Sequence, residues 1–326
     1  MALDHYVSQV HLRNFYSDDA RGRLVAVRKD DLKRFYPWSE DVCRIEDGST
    51  NAYLNEPRAI EAFLKRIEPN YNRALAAVRE RRIDAEDVNV VAGFVAYVAS
   101  CSPAAMRLHS APITASTEAG MQILDAQGLM PPAPKELGER SMSELLADGA
   151  VTINIDGKYP QAIGISQIEQ RVHVFGNALW DVMRADPGDG AFLTSDFPIA
   201  LGASYDNRVV SKTVTLAPDL AICIHPQLSE RSREPDFTFP SFRARFRRLK
   251  PSGIRAVNRE LVRSAENLVF ASRDEPWLTR FVRRHRDFRA DAVISTLPMP
   301  NGGSMIVARQ AIVPFARPAT VYGLAR

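Results

Sequence analysis

The chain has 326 residues, of which 45% are hydrophobic and 25% are charged. This length suits one large domain or two ordinary ones, and this composition excludes collagen, coiled coils and wholesale disorder. Three widely spaced cysteines without a C-x-x-C pair argue against a disulfide framework or a zinc knuckle. The chain opens without a basic segment followed by an apolar one, so we expect no export signal and a cytoplasmic protein.

The first predicted elements precede a proline-rich segment at 131–134. A strand is predicted at 23–28, and a helix that opens at 55–57 keeps the 3.6-residue period to Val78. The uncharged stretch 88–106 is long enough to span a membrane, but Asn89, Gly93 and Pro103 interrupt it. We therefore expect a buried helix that Pro103 kinks or ends, and no membrane partner. A further helix is predicted at 114–126.

The second half of the chain begins with a predicted long helix at 160–184, after which the pattern changes to short β-like runs. A helix with a basic face and a second helix at about 277–288 precede an Asn-Gly-Gly turn at 301–303. Short β-like runs are predicted at 191–194, 199–201, 214–216, 220–224 and 305–308.

This order predicts an α+β fold that is mostly helical in its N-terminal two thirds, around a buried helix. A mixed or antiparallel sheet is expected mainly from the C-terminal half, and the strand at 23–28 is free to join it. We expect one domain over 1–326, with a possible sub-boundary near 128–140.

The net charge of +3 hides an asymmetry, because residues 241–290 contain 14 Arg or Lys and 5 Asp or Glu. That segment carries +9 and the rest of the chain −6. In the basic helix, Arg255, Arg259 and Arg263 recur every four residues. Glu260 lies three residues from Arg263, so ion pairs within the helix can neutralise part of this stripe. We favour a solvated face over a nucleic-acid-binding face, since a charge pattern alone is only the footprint of binding.

Several common catalytic motifs are missing from the sequence. There is no G-x-S-x-G elbow, no phosphate-binding G-x-x-x-x-G-K-S/T loop, no H-E-x-x-H and no G-x-G-x-x-G after a strand. His5 and His11 are six residues apart, which fits neither a helical nor a strand metal pair. We expect neither a metal nor a cofactor.

Two groups of polar residues remain as candidates for a site. His5, Gln9 and Arg13 are four residues apart and can share one face of a helix or turn, although contacts with backbone carbonyls or acidic neighbours are the favoured interpretation. Arg107 and His109 follow Pro103, where a helix end can gather an anion or where they simply cap the helix.

A third candidate is the polar segment that contains Ser195 and Asp196, at the end of a predicted strand. The two side chains point apart on an extended chain, so they cannot form a direct nucleophile and base pair. Asp196 can instead orient His5 or Arg107 from across the fold, as a buried carboxylate does in a catalytic triad. A simple Asx or Ser turn before Pro198 is an equally good interpretation.

The chain resembles a bacterial and fungal family of unknown function, DUF4238. Residues 5–15, H-Y-V-S-Q-V-H-L-R-N-F, are similar to its H-Y-V-P-Q-x-x-L-R-x-F start, and 194–198, T-S-D-F-P, to its T-S-D-N-P. Helical Asn55-Glu56 with the later Glu68, and Ser102-Pro103 with Arg107, match further landmarks. Ser8, Cys101 and Phe197 depart from the usual Pro, Arg and Asn. The resemblance implies that the first turn and the T-S-D-x-P turn share one domain, but it implies no reaction.

Two classes of function follow as expectations. The first is a metal-independent hydrolase that acts on a phosphate-containing or nucleic-acid substrate, with steering by the basic segment. In it, His5 is the general acid or base, Asp196 orients it and Ser195 lies alongside, while Gln9, Arg13, Arg107 and His109 bind substrate. The second is a protein without chemistry, which binds nucleic acid through Arg255, Arg259 and Arg263 or acts as an adaptor or defence-associated partner. A steep salt dependence of binding would mark the nucleic-acid case, and the sequence leaves the oligomeric state open.

Overall fold

The structure is a computed structural model that describes residues 3–131, 133–299 and 304–317, and its fold is α+β as expected. The helices are α1 (Gln9–Arg13), α2 (Ala59–Ile67), α3 (Tyr71–Glu80), α4 (Ala85–Cys101), α5 (Pro103–Ala126), α6 (Met142–Ala147), α7 (Lys158–Ser166), α8 (Ile168–Gly176), α9 (Pro251–Ser264) and α10 (Trp277–His285). The strands are β1 (Leu3–His5), β2 (Val25–Arg28), β3 (Arg34–Phe35), β4 (Arg44–Glu46), β5 (Leu179–Arg184), β6 (Thr194–Ser195), β7 (Ile199–Ala203), β8 (Val210–Ala217), β9 (Leu220–His225), β10 (Arg243–Arg248), β11 (Leu268–Ala271), β12 (Phe288–Pro298) and β13 (Ser304–Pro314).

Helix α4 is the predicted buried helix, and it forms the centre of the largest core. Its side chains are buried on all sides from Val90 to Cys101, and α3, α7 and α8 pack against it. A capping box starts it, in which the Asp84 carboxylate accepts the backbone N–H of Asp87 at 2.8 Å. Within the described residues no single helix is long and apolar enough to cross a membrane, whereas α4 and α5 together meet that test but are bent by 61°.

Pro103 ends α4, as predicted, and also starts α5. Ser102 adopts an extended conformation because the proline ring disfavours the helical region for the preceding residue. Its hydroxyl then accepts the backbone N–H of Ala105 at 3.2 Å, which caps α5. Helix α5 is therefore longer than the segment 114–126 that the sequence predicted.

Two larger sheets cover this helical core. The first has the strand order β10-β5-β9-β8-β7, in which only the β10 and β5 pair is parallel. The second is antiparallel with the order β3-β2-β11-β6, so the early strand β2 joins late strands as expected. Strands β12 and β13 form a long hairpin that packs on α5, and β1 pairs with β4.

The predicted long helix at 160–184 is wrong in its second part. The chain forms α7 and α8 there and then enters β5. Within β5 the four consecutive residues from Trp180 to Met183 are all buried, because both faces of this strand are covered. The helix predicted at 277–288 ends at His285, and the turn predicted at 301–303 lies outside the described residues.

Candidate functional site

Three predicted site residues gather around Ser39 near the start of the chain. The His5 Nε2 atom lies 3.2 Å from the Ser39 carbonyl oxygen, and the Ser39 hydroxyl donates to the Gln9 side-chain oxygen at 3.4 Å. Arg13 donates to that same Gln9 oxygen at 2.8 Å. Partial burial lowers the pKa of His5 below its usual value. His5, Gln9 and Arg13 are thus brought together. His5 contacts a backbone carbonyl, as the simpler interpretation predicted, whereas Arg13 donates to the Gln9 amide and not to a carbonyl of the backbone or an acidic side chain.

A buried histidine that the sequence analysis did not select links the two family motifs. His11 Nδ1 lies 2.9 Å from the Tyr71 hydroxyl, and its Nε2 lies 2.8 Å from the Thr194 hydroxyl. Complete burial lowers the pKa of His11 to about 3, so the ring is neutral and offers one donor and one acceptor nitrogen. The first turn and the T-S-D-x-P segment are therefore joined by a hydrogen-bonded chain inside the protein.

Ser195 and Asp196 lie beneath the connection from α9 to β11, and both are buried. The Ser195 hydroxyl accepts the backbone N–H of Phe197 at 3.2 Å. The Asp196 carboxylate accepts the backbone N–H groups of 266, 267 and 268 at 2.9, 2.7 and 2.8 Å. Burial raises the pKa of Asp196 to about 6, although these amides favour its charged form. The structure thus gives Asp196 a backbone-anchoring contact, and the His5 ring contacts Ser39 and not this carboxylate.

Arg107 is held by an ion pair. Its two terminal nitrogens donate to the Glu266 carboxylate at 2.6 and 2.7 Å, and one also donates to the Ala290 carbonyl at 2.8 Å. Because Glu266 also supplies an amide to Asp196, Arg107 and Asp196 meet through one residue. An anion would have to displace Glu266 to reach Arg107, so the expected anion contact is not available in this arrangement.

The three arginines of the α9 stripe have different surroundings. Arg259 donates to Glu260 at 2.6 Å, and the Arg263 guanidinium lies 4.4 Å from the centre of the Phe288 ring. Arg263 is also 3.7 Å from Glu260, so the predicted pairing within the helix is present. Arg255 is exposed and faces α10.

His109 lies in a cleft of about 500 Å³ between α5, α8, β7, β8 and the hairpin. None of the described residues that line this cleft is acidic. We call it the basic cleft, after the five cationic side chains in its lining, which are Arg171, Arg208, Lys212, Arg231 and Arg309. His109 is the only predicted site residue among its described lining residues.

Arg171 and His109 are fixed against each other inside the basic cleft. Arg171 donates through Nη1 to the Ala99 carbonyl near the end of α4 at 2.8 Å, and its Nη2 lies 3.3 Å from His109 Nε2. Burial, together with the charges of Arg171 and Lys212, lowers the pKa of His109 to about 3. Since a guanidinium can only donate, Nε2 accepts and the proton of the neutral ring is on Nδ1. That buried Nδ1–H has no acceptor in the described part of the chain.

Lys212 is the second half-buried cation of the basic cleft. Its ammonium lies 5.5 Å from the centre of the Phe175 ring. It forms no ion pair with any acidic side chain in the part of the chain that the structure describes. Burial and the charges of Arg171 and Arg231 lower the pKa of Lys212 to about 8. A half-buried cation without a counter-charge is unfavourable, so this position favours a bound anion.

The basic cleft was not predicted from the sequence, because its cations come from distant parts of the chain. One local signal was present in β8, where Val210, Val214 and Leu216 share a face of the strand with Lys212. A lysine on an otherwise apolar face must find an anion, a ring or water. Arg171, Arg231 and Arg309 have no comparable sequence signal.

Among the described residues, no three His, Cys, Asp or Glu side chains are grouped as a metal site would require.

Comparisons with known proteins give a family and no activity. No significantly similar curated protein and no significantly similar solved structure was found. The family model described as "Protein of unknown function (DUF4238)" matches residues 4–275. This match covers most of the chain, including α1 to α9 and β2 to β11, and leaves α10 and the hairpin beyond it. The chain therefore belongs to the DUF4238 family.

Proposed function

We propose that the protein binds a phosphate-containing small molecule in the basic cleft. The observation that carries this proposal is the pair of half-buried cations, Arg171 and Lys212, in a cleft whose described lining has no acidic side chain. A volume of about 500 Å³ is in the usual range for a small-molecule pocket.

The donors in the cleft suit a phosphate group. Arg171 presents a planar fork whose remaining N–H groups can bind two oxygens, and Lys212 adds a point charge. The Nδ1–H of His109 is a third, neutral donor without a partner in the described residues. Arg231 and Arg309 are exposed and widen the positive field at the edge of the cleft. Arg208 contributes less, because Asp206 pairs with it at 2.8 Å.

Hydrolysis of the bound ligand remains a separate prediction from the sequence. The described lining of the basic cleft contains no Asp, Glu, Ser or Cys to act as a base or nucleophile. His109 is a weak base there, because its pKa is lowered to about 3. The cleft therefore supports binding more directly than catalysis.

Isothermal titration calorimetry at pH 7 in low salt tests the proposal. The titrants are pyrophosphate, ATP and adenosine, which lacks the phosphates. We expect pyrophosphate and ATP to bind and adenosine not to bind. Arg171→Met and Lys212→Met should each weaken binding by about 10-fold or more, the loss of one charge-assisted hydrogen bond.

The matched control is Lys65→Met, which removes the same charge from an exposed lysine on α2 outside the cleft lining. It should bind like the wild type. Equal loss in Lys65→Met and Lys212→Met would show that net charge alone attracts the ligand, and adenosine binding as tightly as ATP would exclude a phosphate site.

A further inference from the structure

A second positively charged groove lies between α9 and α10, on a different set of residues. Its volume is about 690 Å³. Four arginines and one tryptophan line it, and Asp189 is the only acidic residue in the described lining. We call this the α9–α10 groove, and its charged and aromatic members are Arg255, Arg280, Arg283, Arg284, Trp277 and Phe281.

The arginines of the α9–α10 groove are available for a ligand. Arg255, Arg280, Arg283 and Arg284 are all exposed, and none forms an ion pair with a carboxylate in the described parts of the chain. Neighbouring arginines behave differently, since Arg259 is paired with Glu260 within the same helix α9. The groove therefore concentrates positive charge that the fold itself does not neutralise.

Trp277 gives the groove a flat apolar surface beside these charges. The side chain is 45% exposed although it is large and apolar. Phe281 supports it from below, with the two rings perpendicular at 89° and their centres 5.6 Å apart. Arg280 and Arg284 follow Trp277 by three and seven residues, so on a helix they lie on the same face as the indole. The indole is thus held in place with arginines along one side.

We propose that the α9–α10 groove binds single-stranded nucleic acid. A base stacks on Trp277, while the phosphates on either side contact Arg280, Arg284 and Arg255. Proteins that bind single strands combine a basic groove with an aromatic stacking surface, because every base offers a π face. An acidic peptide would use the charges but leave the indole without a role. Of the three arginines in the predicted stripe on α9, only Arg255 takes part.

Fluorescence polarisation with a fluorescein-labelled 20-mer of thymidine tests the proposal, with salt varied from 50 to 200 mM. Trp277→Ala should weaken binding about 5- to 150-fold, the loss of one stacked base. The double variant Arg280→Gln/Arg284→Gln should lower the slope of log affinity against log salt by about 1.4, since each phosphate contact on a single strand contributes about 0.7. The control Arg243→Gln/Arg259→Gln removes the same charge outside the groove and should keep the wild-type slope.

Two further arms separate this site from others. A 20-mer of deoxyribose phosphate without bases should bind at least five times more weakly than the thymidine 20-mer, and Lys212→Met should bind the thymidine 20-mer like the wild type. Equal affinity for the abasic strand, or for polyglutamate, would overturn the stacking role of Trp277. Loss of strand binding in Lys212→Met would place the strand in the basic cleft and overturn the proposal for the groove, whatever the fate of the phosphate site.

Discussion

Replacement of Lys212 by Met should make the protein more stable while it weakens phosphate binding. The half-buried ammonium has no acidic partner among the described residues. Its burial and the charges of Arg171 and Arg231 lower the pKa of Lys212 from 10.5 to about 8. At about 1.4 kcal/mol per pKa unit, the charged lysine costs the folded state about 3 kcal/mol at pH 7. Solvent screening of the partly exposed side chain reduces this to about 2 kcal/mol. Methionine fills the same space without the charge.

The pH dependence of this difference has a definite sign. The folded pKa of Lys212 is lower than the unfolded one, so the unfolded chain binds more protons between pH 8 and 10.5. Above pH 10.5 the lysine is neutral in both states and costs the folded state nothing. As the pH falls from 10.5 to 8 the cost of the charged lysine develops, and below pH 8 it is fully present. Wild type and Lys212→Met should differ by about 2 kcal/mol at pH 7 and converge near pH 10.5.

Urea unfolding followed by tryptophan fluorescence measures both effects, because urea does not screen charges. At pH 7 we expect a higher free energy of unfolding for Lys212→Met than for the wild type. Pyrophosphate at 100 times the wild-type dissociation constant should stabilise the wild type by about 2.7 kcal/mol and the variant by about 1.4 kcal/mol or less, since its affinity is at least 10-fold lower. A variant that is less stable than the wild type at pH 7, or that pyrophosphate stabilises as much as the wild type, would contradict this prediction.

Three further predictions concern the sequence motifs. Asp196→Ala leaves three backbone N–H groups without their acceptor and should lower the free energy of unfolding by about 3 kcal/mol. Ser195→Ala removes one hydrogen bond and should lower it by about 1 kcal/mol. Urea unfolding of both variants measures the difference. Because the pKa of His11 is lowered to about 3, the wild type should lose about 5 kcal/mol as the pH falls from 6.5 to 3, and acid unfolding of His11→Phe should lack this dependence. If His5 is a general acid or base, His5→Ala should reduce any hydrolysis of p-nitrophenyl phosphate at least 100-fold. The phosphate affinity measured by calorimetry should not change. Unchanged hydrolysis would exclude that role for His5.

The fold was predictable where a local sequence signal covers a whole element. The uncharged segment at 88–106 predicts α4, and Pro103 predicts its end, because both signals are local. The single helix predicted at 160–184 was wrong because its apolar residues fit a helix only as far as Asn177. The residues after it form β5, which pairs with the distant strands β9 and β10. Strand order and pairing depend on contacts between distant segments, which no local pattern contains.

The site was less predictable than the fold. Sequence motifs identified Asp196 and Arg107, yet the structure shows both bound to the connection between α9 and β11. The basic cleft depends on Arg171 and Lys212, which meet only after α8 and β8 pack together. Similarly, the stripe on α9 predicted a charged face, but its partner Trp277 belongs to the next helix.

A crystal structure of the protein grown with pyrophosphate would show where the anion binds. We expect the anion in the basic cleft, with its oxygens within hydrogen-bond distance of Lys212 Nζ and the Arg171 guanidinium. We also expect Arg107 to keep its ion pair with Glu266. Pyrophosphate bound elsewhere while the basic cleft holds no anion, or an Arg107 released from Glu266 to bind it, would overturn the proposed phosphate site.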